Sequence, residues 1–129
     1  ANQLVDRDIA FKEGLISSDG SIKIRVGGLG APQKRKTVNI HTKATWWPSK
    51  SFVAALKYTH LPFGAGVWPG FWSMNSDVLW PKGGELDILE YANDEPNKVT
   101  FHTSRNCRLD TRKLDRHFPG GGATGCYPN

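Results

Sequence analysis

The chain has 129 residues, 38% of them hydrophobic and 22% charged, with a formal net charge of +5. That suits one soluble domain with a modest core and is too apolar for a disordered chain. No apolar run approaches the roughly 18 residues of a membrane-spanning helix. The basic charge comes with no nucleic-acid motif, so solubility explains it without a polyanionic partner.

Helical periodicity is scarce and strand signals dominate. The turn "SSDG" precedes "SIKIRV" (Ser21 to Val26), which alternates polar and apolar residues as a half-buried strand does. "GGLGAP" then breaks the chain, and "KTVNIHTK" alternates again through Val38 and Ile40. "SFVAALKY" (Ser51 to Tyr58) is apolar almost throughout, which predicts a strand covered on both faces. In "GVWPGFW" (Gly66 to Trp72), Pro69 restricts the strand to an edge or an irregular form. "ELDILEY" and "KVTFHT" predict two more strands, joined by the polar turn "ANDEPN". Past Cys107 the composition is that of a loop. Short strands separated by Gly/Pro turns predict an all-β fold, an antiparallel β-sandwich, with no internal repeat or linker.

Two cysteines, Cys107 and Cys126, lack the C-x-x-C spacing of a zinc or redox site. They read as one disulfide pinning a loop in a secreted or lumenal protein, with two free thiols as the other reading.

The acids are the most informative feature. "WPKGGELDILEY" places Glu85, Asp87 and Glu90 within an otherwise apolar strand. Alternation puts Glu85 and Asp87 on one face, but a regular strand would send Glu90 to the other. One extra residue, a β-bulge, returns Glu90 to the acidic face. Glu85 and Glu90 then stand on the order of 13 Å apart at Cα. Leaning together, their arms can reach the roughly 5–5.5 Å separation of a retaining glycosidase. Three carboxyls so placed cannot all ionise freely, so at least one pKa rises. Taken alone, the spacing favours a solvated acidic face, with a calcium site as a third reading.

The surrounding residues carry a resemblance. With Trp72, Trp80, the E-L-D-I-L-E run and "TFHT", the chain resembles glycoside hydrolase family 16, and its laminarinase-like members, the endo-β-1,3(4)-glucanases, in particular. "GGELDILEY" matches the bulged E-x-D-x-x-E signature. "GVWPGFW" is similar to the family's W-P-A-F-W segment, "LWPKGGE" to its W-P-x-G-G-E approach, and "KVTFHTSRNC" to its T-L-H-T-x-x-x-C strand. The similarity runs from about Gly14 to Cys126.

The resemblance implies a concanavalin A-like jelly roll whose concave sheet forms a glucan cleft. It implies Glu85 as nucleophile, Glu90 as general acid/base, and Asp87 as the acid that hydrogen-bonds the nucleophile. Trp72, Trp80 and His102 would line the cleft, and tryptophan faces suit the C–H faces of sugar rings. Trp46, Trp47 and Trp68 are expected in the core, and His41, His60 and His117 as surface or satisfied structural residues. No metal or organic cofactor is implied. Domains of this family are longer than 129 residues. The chain is therefore expected to be a single partial domain over 1–129, lacking the family's C-terminal half. It would be a piece of a longer enzyme, a subunit completed by another chain, or a non-catalytic carbohydrate-binding or structural component.

Overall fold

The computed structural model describes residues 3–27, 35–46, 51, 53–105 and 127–128. The elements in chain order are β1 (Gln3–Leu4), α1 (Arg7–Lys12), β2 (Ile16–Ser18), β3 (Ile22–Ile24), β4 (Lys36–Thr37), β5 (Gly70–Met74), β6 (Glu85–Glu90), β7 (Thr100–Thr103) and β8 (Tyr127–Pro128). Strands with one short helix make the fold all-β, as the alternation predicts. Cys107 and Cys126 lie outside the described residues, as do Trp47 and His117. The chain forms two compact units, 1–52 and 53–129.

In the first unit, α1 starts at Asp6, whose carboxylate accepts the Ile9 N–H at 2.9 Å. Asp8 in its first turn and Lys12 in its last complement the helix dipole. Six residues give too little periodicity to be read from sequence, and the helix was not expected. Ala10 and Leu15 are the buried apolar side chains among the described residues. β2 and β3 pair antiparallel, Ile16 opposite Ile24 and Ser18 opposite Ile22. The strand predicted over Ser21 to Val26 shortens to Ile22–Ile24, and its isoleucines are exposed rather than half-buried. β1 and β4 pair parallel over two residues, so the strand expected through Val38 and Ile40 stops at Thr37. Lys36 also pairs with Glu13.

The second unit holds a four-stranded sheet in the order β5-β6-β7-β8. Its two longer ladders, β5–β6 and β6–β7, are antiparallel, and the short β7–β8 contact is parallel. Pro69 falls just before β5, where its missing N–H interrupts no ladder. The apolar run expected as a doubly covered strand forms none: residues 53–58 are exposed and irregular. Apolar composition does not make a strand unless a neighbouring backbone supplies its hydrogen bonds, and none of the described strands pairs with this run.

A tight turn delivers the chain from β5 to β6. The Lys82 N–H donates to the Leu79 carbonyl at 3.0 Å and the Gly84 N–H to the Pro81 carbonyl at 3.0 Å. Both glycines of "KGGE" are needed here. Gly84 has φ +82°, which side-chain-bearing residues rarely adopt. A Cβ on Gly83 would lie 2.5 Å from Asn75 Cβ and 2.7 Å from Val78 Cγ2.

Candidate active site

The pairing of β5 with β6 contains the bulge that the acidic pattern calls for. Gly70 lies opposite Glu90, Phe71 opposite Leu89, and Trp72 opposite Asp87, with the register shifting between Phe71 and Trp72. Two residues of β5 thus span three of β6, and Ile88 is the extra one. Met74 lies opposite Glu85, and across the other ladder His102 lies opposite Glu85 and Thr100 opposite Asp87. Paired residues share a face, so Glu85, Asp87, Glu90, Trp72, Thr100 and His102 stand together. Leu86 and Phe101, also a pair, face the other way.

Each glutamate is held by an indole. Trp80, on the turn before β6, donates its Nε1–H to Glu85 Oε2. Its ring also packs against His102, with centroids 5.7 Å apart and planes tilted by 51°. At the other end, Trp68 Nε1 donates to Glu90 Oε1 at 3.1 Å, and the Thr100 hydroxyl donates to Glu90 Oε2 at 3.3 Å.

Asp87 sits between them and is only 3% exposed. Its Oδ2 lies 3.2 Å from His102 Nε2, yet among the described residues no donor is aligned to hydrogen-bond that oxygen. Burial pushes the Asp87 carboxyl up to about 6, and the charges of Glu90 and Glu85 and a hydrogen bond with Glu85 push the same way. The nearby His102 offsets part of this. One pKa of the trio therefore rises, as the spacing predicts, and the group that rises is the middle one.

Ligating atoms of Glu85, Asp87 and His102 lie within 4.8 Å of one another.

The chain is also similar to known proteins. The description "XgeA-like, catalytic GH16 domain" matches residues 3–120. The chain belongs to glycoside hydrolase family 16. Similar proteins include a probable glycosidase of Schizosaccharomyces pombe, 35% identical over 86% of this chain and 26% of the relative. A probable endo-1,3(4)-beta-glucanase of Aspergillus niger is 31% identical over 84% of this chain and 14% of its own length. A glucan endo-1,3-beta-glucosidase of Cryptopygus antarcticus is 31% identical over 71% of this chain and 35% of its own. The chain thus spans about a third or less of each. No solved structure matches it.

Within this family 16 chain, all six residues singled out from sequence gather on or beside one sheet face. The expectation of core packing fails for Trp68, which is 65% exposed and bonded to Glu90, and for Trp46, which is also exposed. Trp68 lies just before β5, where its indole reaches the Glu90 carboxylate at the end of β6. Thr100 was missed as well, although its place two residues before His102 puts it on the same face.

Proposed function

We propose that this chain carries the catalytic strand of a retaining endo-hydrolase of β-1,3 or mixed β-1,3/1,4-glucans. The observation behind the proposal is the bulged β6, which sets Glu85, Asp87 and Glu90 on one face with an indole donor on each glutamate. Family membership and relatives named as endo-1,3(4)-beta-glucanases support the substrate class.

Glu90 donates its proton to the glycosidic oxygen while the Glu85 carboxylate attacks the anomeric carbon, forming a glycosyl ester. Glu90, now ionised, takes a proton from water, and the water oxygen displaces Glu85 with a second inversion, giving net retention. The Trp80 N–H orients the Glu85 carboxylate and supports its negative charge, which is lost in attack and recovered when the ester breaks. Asp87, protonated up to about pH 6, can hydrogen-bond the same carboxylate without adding a second charge. Trp72 and Trp80 offer apolar surface for sugar rings.

The test is hydrolysis of laminarin by the full-length protein, with the anomeric configuration of new ends read by NMR before mutarotation. The β anomer should appear first. Glu85→Gln should remove turnover by a factor of at least about 10³, the scale of a lost nucleophile, and leave glucan binding within a few-fold. An α anomer would contradict retention, and an active Glu85→Gln would contradict the nucleophile assignment.

A further inference from the structure

The connection between β6 and β7, residues 91–99, looks from its sequence like an ordinary polar turn. Its hydrogen bonds say otherwise. The β6–β7 ladder pairs only Glu85, Leu86 and Asp87 with β7. Beyond Asp87 that edge of β6 has no described strand beside it, at the bulge where backbone groups most need partners.

Asn97 takes the strand's place. Its Oδ1 accepts the Glu90 N–H at 2.8 Å, and its Nδ2 approaches the Ile88 carbonyl at 3.5 Å. A carboxamide offers an acceptor and a donor, as a peptide unit does, so it can stand in for a ladder residue. The Lys98 N–H then donates to the Glu90 carbonyl at 2.8 Å. Glu90 is thus held at both backbone groups on that edge.

Asn93 fixes the other side. At φ +62°, a left-handed conformation that asparagine tolerates, its Oδ1 accepts the Gly66 N–H at 2.8 Å. Its N–H donates to the Val67 carbonyl at 2.8 Å, and its carbonyl accepts the Gly64 N–H at 3.1 Å. That segment leads directly into Trp68, the donor to Glu90 Oε1. One connection therefore fastens both Glu90 and the residue that hydrogen-bonds it.

We infer that Asn97 is a positioning residue for Glu90, clamping the bulge so that this carboxyl faces the cleft, and that Asn93 places Trp68 against it. The inference rests on Glu90 being the acid/base. Without the Asn97 clamp, the last residues of β6 lose their second edge and Glu90 spends less time on the acidic face.

The experiment uses the full-length protein and two substrates: a β-1,3-glucan, whose leaving sugar needs a proton, and a dinitrophenyl β-glycoside of a short β-1,3-glucan, whose leaving group needs none. Asn97→Ala should lose about 10- to 100-fold in kcat/KM on glucan, part of the range typical of general acid catalysis, and under about threefold in kcat/KM on the dinitrophenyl substrate, because kcat/KM reports the glycosylation step alone. Azide, which needs no general base, should restore turnover of the aryl substrate wherever deglycosylation limits it. Asn97→Asp retains the acceptor for the Glu90 N–H and should recover glucan activity to within a few-fold. It also serves if Asn97→Ala does not fold. Equal losses in kcat/KM on both substrates, no loss on either, or an Asp variant as impaired as a folded Ala variant would overturn the inference. Glu90→Ala is the control. If it lacks the same selectivity, the acid/base assignment fails; if it shows the selectivity and Asn97→Ala does not, only the positioning role fails.

Discussion

Asp87 is the residue whose environment most constrains the site. Its ordinary value of 3.8 is raised to about 6 in the fold, so between those values the folded chain keeps a proton that the unfolded chain has lost. The associated stability is fully present below 3.8 and is lost as pH rises through about 6. A shift of that size corresponds to on the order of 2–3 kcal/mol. Asp87→Asn removes the charge and keeps the shape. Denaturant unfolding across pH 3.5–7.5 should show a wild-type decline that the variant lacks, leaving the variant more stable at neutral pH by about 1–3 kcal/mol. Parallel curves would contradict this reading of the carboxyl. The variant should also turn glucan over more slowly, since its carboxamide offers Glu85 a fixed donor instead of a shared proton. Much at this scale was legible beforehand. Alternation plus one bulge placed the three acids, and the matching segments pointed to Trp72, Trp80 and His102. Trp68 was not legible, because a tryptophan beside a proline reads the same whether the fold buries it or leaves it out. Nor was Asn97, since nothing in "ANDEPN" separates a residue that replaces a strand from one that merely faces water.

Among the elements, β6 depends on the turn that feeds it. Gly83 passes against Asn75 and Val78 where no Cβ fits, and Gly84 holds φ +82° immediately before Glu85. Gly83→Ala must push Asn75 or Val78 aside, at a cost of about 1–3 kcal/mol. The strain falls two residues from the proposed nucleophile. The expected result is lower unfolding stability together with a reduced kcat on glucan. Unchanged stability would show that the turn relaxes freely. The elements were unevenly readable for a physical reason. β5, β6 and β7 carry both a strand-like pattern and a partner; β6 and β7 formed within their expected spans, whereas β5 begins only at Gly70 and runs to Met74 instead of covering Gly66 to Trp72. The run over residues 53–58 has the apolar composition but pairs with none of the described strands, and α1 has a cap and dipole complement but too few residues for a period to emerge.

In the whole molecule, the sheet of the second unit is acidic on one face and apolar on the other. Leu86 and Phe101, paired back to back with the acids, are 39% and 47% exposed among the described residues. We propose that this is the inner face of the family 16 sandwich, covered in the complete domain, because an open apolar sheet face invites association. Everything proposed for the site depends on β6 presenting a nucleophile and an acid/base to a β-glucan. Trapping the covalent intermediate tests that dependence. The full-length protein would be incubated with a 2-deoxy-2-fluoro glycoside of laminaribiose bearing an activated leaving group, and the adduct mapped by peptide mass spectrometry. One added disaccharide per chain, attached to Glu85, is the expected result. An active enzyme that stays unlabelled, or one labelled at another residue, would contradict it.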